Sequence, residues 1–447
     1  MTHIDSKNTS GLNRRDFVKG SAMAAGGIML SGLAWDANAM TLQKPKELKL
    51  ALVGCGGRGS GAVVQALIAD PNVKLVAMAD AFRDRLDACY SNITKDDVDG
   101  KGSLKAKIDV PEKNKFVGFE GYKSAIDLAD VVILATPPGF RPYHLEYAIK
   151  QSKHIFCEKP LATDAVGIRK VLGLLEESKQ KNLNIVVGLQ RHYESSYREV
   201  MKRVHGGEIG DVTSGQVYWN SAGVWVRERQ PDMTEMQYQM RNWYYFNWLC
   251  GDHIVEQHIH NIDVMNWAKQ GYPVKAQGMG GRQVRTGKEF GEIFDHHYVE
   301  YTYEDGAIMN SQCRHIKGCM DKVTEEIVGT KGRADGSGNI VDLKGNIIYK
   351  HRGKDDPNPY EQEHVELFAS IRKGGVINDL ENGAKATMTA IMGRMATYSG
   401  RELTWEEAIN SEVNLFPDRL AWDANPKSMP DKNGFYTIAV PGVTQVI

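Results

Sequence analysis

The chain has 447 residues, enough for two or three domains with a sizeable hydrophobic core. Its 55 basic and 56 acidic side chains give a formal net charge of −1, so no global positive field is present to attract a nucleic acid. Hydrophobic residues make up 42% and charged residues 25%, which is typical of a soluble globular protein and argues against a disordered or membrane-spanning one.

The first 39 residues have the pattern of a targeting segment. The paired arginines Arg14-Arg15 precede a small apolar run over 20–34, and Ala37-Asn38-Ala39 offers a small-x-small cleavage site. The run is too short and too rich in glycine for a stable membrane span. We therefore expect a signal peptide over 1–39 for twin-arginine export and a periplasmic location, with a disordered basic tail as the alternative.

Over residues 48–187 short apolar runs alternate with helical patterns, as in a parallel sheet covered by helices on both faces. The predicted strands are Leu48–Val53, Lys74–Ala79, Phe116–Val117, Val131–Ala135, His154–Cys157 and Asn184–Val187. The predicted helices are Ser60–Ala69, Tyr122–Leu128, Tyr143–Lys150 and Asp164–Lys179. Residues 91–115 interrupt the alternation and are expected to form an exposed insertion. We predict an α/β domain of the doubly wound Rossmann type over 40–188.

The pattern changes after residue 190, where stretches of alternating polarity indicate a larger, mainly antiparallel sheet. These stretches are Ser214–Trp219, His297–Tyr303 and Ile327–Val328. We predict an α+β domain over 189–410, with a helix near 385–398 that packs back on the first domain, and a tail over 411–447. Tryptophan and tyrosine crowd residues 219–267, where burial in the core or in a subunit interface is favoured over a ligand platform.

A glycine-rich turn, Gly54-Cys55-Gly56-Gly57-Arg58-Gly59, follows the first strand directly and opens a helix. Gly54 allows the tight turn, Gly56 lets a pyrophosphate approach the backbone, and Gly59 lets helix and strand pack closely. The helix start, with Gly57 and Arg58, offers N–H groups and positive charge to the anion. The turn therefore predicts a nicotinamide dinucleotide site.

The second predicted strand is followed by Asp80, which lies 26 residues after Gly54. A carboxylate at this position can accept hydrogen bonds from the adenosine ribose hydroxyls, which favours NAD. Arg83 and Arg85 lie close by and are suited to a 2′-phosphate, so NADP remains possible.

Three further motifs give the chain a resemblance to the Gfo/Idh/MocA family, the glucose–fructose oxidoreductase, inositol dehydrogenase and rhizopine catabolism group. They are Ala135-Thr136-Pro137-Pro138 with His144, Glu158-Lys159-Pro160 after the fifth strand, and the segment Gly251–Trp267. The resemblance covers most of the mature chain. It implies that Thr136, Pro137, His144, Glu158 and Lys159 contact the cofactor. It also implies that the second domain binds the substrate and joins subunits into a homodimer or homotetramer.

The same resemblance makes Lys159, Glu256 and His260 the candidate catalytic residues. A lysine at the carboxyl end of a parallel strand can hydrogen-bond the substrate oxygen and stabilise negative charge that develops there. A histidine, with an unperturbed pKa near 6.5, can remove the hydroxyl proton. Glu256 stands where the family has an aspartate and would orient the substrate or the imidazole ring.

His258 occupies a position that is usually small in the family. If the segment is extended, the spacing of two places Glu256, His258 and His260 on one face, and His253 could complete a metal site. The favoured interpretation is no metal, with His258 hydrogen-bonded in the core or contacting the substrate.

Two short polar motifs remain. Arg191 and His192 follow the sixth strand, where they either line the substrate pocket or serve packing. Asp295-His296-His297 is expected to be an ordinary surface loop. The six cysteines are expected to be structural thiols, although the spacing of Cys313 and Cys319 leaves a local disulfide open.

Taken together, the motifs predict hydride transfer between a secondary alcohol of a sugar, glycoside or cyclitol and a nicotinamide cofactor. Export implies a tightly held cofactor, because free NAD is scarce outside the cytoplasm. An NAD-dependent glycosidase that oxidises, eliminates, hydrates and reduces its substrate is the first alternative. A non-catalytic protein that keeps the cofactor as a structural element is the second.

Overall fold

The computed structural model describes residues 46–336 and 338–447. The predicted signal peptide over 1–39 lies outside the described residues. Among the helices that are described, none combines the length and the apolar character needed to cross a membrane.

Six parallel strands form the first sheet: β1 (Leu48–Val53), β2 (Val73–Asp80), β3 (Lys115–Val117), β4 (Val131–Leu134), β5 (His154–Cys157) and β6 (Ile185–Val187). Their spatial order is β3-β2-β1-β4-β5-β6, which is the doubly wound Rossmann arrangement. Every residue of β4 is buried, as expected for a strand covered on both faces. The ligand crevice of such a sheet lies at the carboxyl ends of β1 and β4, where the strand order reverses.

Six helices accompany this sheet: α1 (Gly57–Ala69), α2 (Arg83–Ile93), α3 (Gly121–Asp127), α4 (Arg141–Lys150), α5 (Ala165–Leu172) and α6 (Leu175–Gln180). The prediction of one helix over Asp164–Lys179 was wrong, since α5 ends at Leu172 and is followed by Gly173, a residue that disfavours helix. The prediction of an exposed insertion over 91–115 was also wrong in part. Leu104 and Val110 are buried, and Ile108 bridges to Leu75 of β2.

The second sheet has nine strands: β7 (Val212–Ser221), β8 (Lys275–Gly281), β9 (His296–Thr302), β10 (Ile308–His315), β11 (Lys322–Gly329), β12 (Gly332–Asp335), β13 (Asn339–Asp342), β14 (Ile347–Lys350) and β15 (Leu403–Thr404). Their order is β14-β13-β12-β11-β7-β10-β9-β8-β15. The pair β7–β10 is parallel and its neighbours are antiparallel, so the predicted mainly antiparallel sheet is confirmed.

One local prediction on this sheet was wrong. Asp295-His296-His297 is not a surface loop, because Asp295 and His297 are buried and His297 pairs with Cys313 across β9 and β10. All six cysteines are free thiols, and of these Cys319 is exposed.

The remaining helices are α7 (Ser195–His205), α8 (Glu235–Arg241), α9 (Asn247–Cys250), α10 (His253–Glu256), α11 (Ile259–Lys269), α12 (Pro359–Lys373), α13 (Leu380–Ser399) and α14 (Trp405–Ile409). Short 3₁₀ helices lie at Lys105–Lys107, Glu112–Asn114, Pro138–Phe140, Gln190–Tyr193, Trp243–Tyr245 and Lys288–Phe290.

Two of these helices join the halves of the chain. Helix α13 packs on β8 and β9 of the second sheet and also on α5 of the first domain. Helix α12 packs on α1, the helix that the glycine turn opens. Helices α12 and α13, which lie late in the sequence, therefore complete the hydrophobic core of the first domain.

Helix α12 carries His364, whose ring is fully buried beside Phe156, with a centroid separation of 4.2 Å. Burial lowers the pKa of His364 to about 3. Below pH 6.5 the unfolded chain therefore binds a proton at this residue that the folded chain does not, and stability falls as the pH falls.

We expect His364→Phe to reduce the acid sensitivity of the fold. Between pH 7 and pH 5 the free energy of unfolding of the parent should fall by about 2 kcal/mol more than that of the variant. Urea unfolding at the two pH values measures the difference. Equal losses in both proteins would contradict a neutral, buried His364.

Candidate active site

A cavity of about 500 Å³ lies at the carboxyl ends of β1, β2 and β4, where the sheet order reverses. Most of the residues predicted to bind a cofactor line it: Gly54, Gly56, Gly57, Arg58, Asp80, Thr136, Pro137 and His144. The cavity therefore coincides with the crevice in which doubly wound sheets hold their ligands.

The glycine turn has the geometry that its motif requires. Gly54 has φ +97°, and a Cβ there would lie 2.5 Å from the Ala135 carbonyl carbon. A Cβ on Gly59 would lie 1.9 Å from the Gly54 oxygen, whereas Gly56 and Gly57 face open space. Helix α1 has no acidic residue in its first turn and no side-chain cap, which leaves its first N–H groups to an anion.

Gly59→Ala is expected to reduce NAD affinity at least about tenfold and to destabilise the fold by about 1–3 kcal/mol, because its Cβ forces α1 away from β1. Gly61→Ala in the same helix is the matched control. Its Cβ would meet only the flexible end of Arg58, at 3.3 Å. Fluorescence titration with NAD and urea unfolding measure both effects. Equal behaviour of the two variants would contradict the close packing at Gly59.

Asp80 lies at the end of β2 and lines the cavity. Its Oδ2 accepts a hydrogen bond from the Cys55 N–H at 2.7 Å, and its Oδ1 accepts one from the Phe82 N–H at 2.9 Å. Burial raises the pKa of Asp80. Arg85 also lines the cavity, whereas Arg83 is engaged with carboxylates outside it.

The opposite wall of the cavity comes from the second half of the chain. Its lining residues there are Trp225, Arg227, Met240, Arg241 and Trp243. Arg241 is fixed by two hydrogen bonds to Asp84, at 2.6 and 2.7 Å. The Trp225 and Trp243 rings make an edge contact, with a centroid separation of 5.9 Å. These wall residues were not predicted to contact a cofactor.

The aromatic crowding over 219–267 was the one sequence signal for this wall. Core burial is confirmed for Tyr245 and Trp248 but not for Trp225, whose exposed fraction is 38%. Hydrophobic periodicity could not distinguish the exposed Trp225 from the buried aromatic residues, because Trp225 lies between β7 and α8, where the chain has no regular secondary structure.

Lys159 and Glu256 are in direct contact. The Lys159 Nζ donates to the Glu256 backbone oxygen and, at 3.1 Å, to the Glu256 Oε1. The two side chains are 12% and 13% exposed. An ammonium group has three N–H donors, so one donor remains for a substrate oxygen.

His260 lies near the start of α11 and is 8% exposed. Burial lowers its pKa well below the usual value, and the positive charge of Lys159 is the next cause. Its imidazole is therefore neutral near pH 7 and able to accept a proton. The Trp219 ring stacks on it, with an interplanar angle of 26° and a centroid separation of 6.0 Å.

Glu158 is engaged with the glycine turn rather than with Lys159. It forms an ion pair with the Arg58 guanidinium, and Arg58 also donates to Gln65 at 3.0 Å.

Sequence reasoning missed Arg141, a buried residue whose Nη1 donates to the Pro160 oxygen at 2.8 Å and so supports the turn after Lys159. No motif marked it.

His144 lies against the cavity wall, where its Nδ1 is 3.2 Å from the Thr136 Oγ1 and its ring stacks on Tyr122. Burial lowers its pKa to about 3, so the ring is neutral. Thr136 and His144 thus form one hydrogen-bonded pair beside the predicted cofactor site.

The residues predicted to bind substrate do not line the cofactor cavity, although the charges of Arg191 and His258 contribute to the lowered pKa of His260. Arg191 is paired with the buried Glu325. His192 bonds Asp263 at 2.7 Å and stacks on Trp267. His258 is fully buried and bonds the Ser311 Oγ at 2.8 Å. These contacts join the core together and leave His258 without access to a substrate.

The structure does not bring together the four residues of the alternative metal site. The segment forms α10 and α11 instead of a strand, so the spacing of two does not place Glu256, His258 and His260 on one face. His258 turns to Ser311 and Glu256 to Lys159. His253 lies in a different cluster, described below.

Comparison with known proteins adds independent findings. A family described as "Oxidoreductase family, NAD-binding Rossmann fold" matches residues 48–186, and the "GFO/IDH/MocA C-terminal domain" matches residues 197–335. An inositol 2-dehydrogenase of Rhizobium meliloti is 24% identical over 64% of this chain and 74% of its own length.

A glycosyl hydrolase family 109 protein of Streptomyces coelicolor is 25% identical over 38% of this chain and 33% of its own length. The crystal structure of scyllo-inositol dehydrogenase from Lactobacillus casei, with bound NAD(H) and scyllo-inositol, has a TM-score of 0.60 and 20% identity. That match covers 81% of this chain and 100% of the other, and it shows a common fold.

Proposed function

The chain belongs to the Gfo/Idh/MocA family of NAD-binding oxidoreductases, and on that basis we propose that it transfers hydride between a sugar, glycoside or cyclitol and a tightly held NAD. The observation that carries the proposal is the contact of Lys159 with Glu256. The positive charge of Lys159 also contributes to the lowered pKa of His260. Lys159 follows β5 and His260 lies in α11, so the two halves of the chain supply the donor and the base of the proposed reaction.

Bound NAD supplies a hydride acceptor at its nicotinamide ring. The free donor of Lys159 binds the substrate hydroxyl and stabilises the negative charge that grows on its oxygen. The neutral His260 would accept the hydroxyl proton of the substrate as its carbinol is oxidised to a ketone. Glu256 holds Lys159 in place through its side-chain and backbone oxygens.

Tight retention of NAD is supported by the second wall of the cavity. Because Trp225, Arg227 and Trp243 face the glycine turn across the cavity, a dinucleotide between them would contact both halves of the chain. A cofactor enclosed in this way suits the expected twin-arginine signal, because that route carries folded proteins. We propose a periplasmic enzyme with a resident cofactor and a second sugar as the electron acceptor.

The proposal is tested with the purified full chain, without added NAD. Native mass spectrometry is expected to show retained dinucleotide, and a panel of inositols, aldoses and glycosides should include one that yields a keto product. Absence of bound dinucleotide after purification would contradict the resident cofactor. A kinetic requirement for added NAD at every turnover would contradict it as well.

A redox-neutral glycosidase remains the second candidate, supported by the similarity to a glycosyl hydrolase family 109 protein. In that case aryl glycosides would release their aglycone with no net change in bound NAD. Accumulation of a keto sugar with reduced cofactor and no aglycone would favour the dehydrogenase. One reaction mixture, followed by absorbance for both products, separates the two functions.

A further inference from the structure

A second polar cluster lies in the core between α10 and β9, and the proposed reaction does not use it. Asp252, His253 and His297 are 0%, 0% and 3% exposed. None of them lines the cofactor cavity. Asp252 caps α10 by accepting a hydrogen bond from the His253 N–H.

Three of the four ring nitrogens in this cluster lack a well-aligned hydrogen bond. Both ring nitrogens of His253 are buried without a hydrogen-bond partner, and the Nε2 of His297 faces the Asp252 carboxylate at 3.3 Å without a well-aligned hydrogen bond. Buried polar atoms in folded proteins are normally paired, because leaving one unpaired costs stability. An imidazole in its neutral form presents a lone pair that a metal ion can use.

The separations within the cluster fit a shared ion. The His297 Nε2 is 3.3 Å from the Asp252 Oδ2, and the His253 Nε2 is 3.8 Å from the Asp252 Oδ1. One ligand atom from each residue can be chosen so that all three lie within 4.8 Å of one another. Two ligands bound at about 2.1 Å in tetrahedral geometry lie about 3.4 Å apart, so small side-chain adjustments suffice.

The surrounding residues hold these ligands in orientation. The His297 Nδ1 bonds the Thr397 Oγ1 at 2.9 Å, which turns its Nε2 toward Asp252. The Asp252 carboxylate accepts hydrogen bonds from the Phe294 N–H at 2.9 Å and the Tyr398 hydroxyl at 2.6 Å. Such outer contacts are typical of protein metal ligands.

We propose that Asp252, His253 and His297 bind one divalent transition-metal ion. Two imidazoles and a carboxylate are a ligand set that suits Zn²⁺. The ion would connect the start of α10 to β9. Helix α10 ends at Glu256, the residue that holds Lys159. Because none of the three ligands lines the cofactor cavity, the ion would have a structural role, with water as its fourth ligand, and would fix the position of the catalytic segment.

The test measures metal in the full chain, purified without chelators from zinc-supplemented cells. We expect about one equivalent of zinc per chain by inductively coupled plasma mass spectrometry, and visible absorption bands of tetrahedral Co²⁺ after exchange. His253→Gln and His297→Gln should each lose the ion. His364→Phe, which removes another buried histidine with two unpaired nitrogens, should retain it.

The parent protein alone can overturn the proposal, whether or not the variants fold. Less than about a tenth of an equivalent after dialysis against Zn²⁺ and then buffer would show that the cluster does not bind the ion. Retention of a full equivalent by a folded His253→Gln variant would place any ion elsewhere. Neither result depends on the proposed redox reaction, because metal content is measured without substrate.

Discussion

Replacing Lys159 with methionine is expected to lower kcat by about 10²–10³-fold while NAD remains bound. Methionine keeps the length and the apolar contacts of the side chain but removes the donor that stabilises charge on the substrate oxygen. Since that charge grows only in the transition state, the loss falls on kcat more than on KM. Single-turnover reduction of the bound cofactor, followed by its absorbance, measures the effect.

Lys170→Met is the matched control, because Lys170 bonds Glu146 on the surface of the same domain. Its kcat is expected to equal that of the parent. If Lys159→Met also kept the parental kcat, Lys159 would have no role in the chemistry. The non-catalytic cofactor-binding alternative would then gain support.

His260→Asn is expected to lower kcat/KM by about 10²–10⁴-fold, the usual contribution of a general base. Burial and the Lys159 charge keep the pKa of His260 well below 6.5, so the parent stays active as the pH falls below that value. Its activity should decline only at a lower pH, where His260 takes up a proton. The variant should lack this acid limb, which a pH profile of kcat/KM would reveal.

The control for this variant is His205→Asn, which changes an exposed histidine that bonds the Trp267 backbone oxygen. An acid limb that persists unchanged in His260→Asn would assign the proton transfer to another group. Comparison of the two histidine variants separates the loss of a base from a general effect of the substitution.

The first domain could be predicted because its information is local. β1, β4 and β5 are short apolar runs, and the glycine turn follows β1 with spacing that fixes a strand, a turn and a helix. Lys159 and Glu256 are 97 residues apart, and only the family resemblance indicated that they belong together.

Other features depend on contacts that no local pattern records. Helix α12 was not predicted, although Leu367 and Phe368 form its buried face. The contact between His253 and His297 depends on how α10 packs against β9. The extended conformation on which the metal alternative over 253–260 depended does not form, because the Asp252 side chain caps a helix there.

The packing of α12 on α1 has a consequence for protein synthesis. When only the first 190 residues have emerged from the ribosome, the nucleotide-binding domain still lacks α12. Leu367 and Phe368 of α12 belong to the same core cluster as β1 and α1. Trp422, which packs on Phe82 and Phe119 beside the cavity, arrives later still. Truncated chains ending before residue 359 should therefore be poor folding units, and cofactor loading should follow chain release.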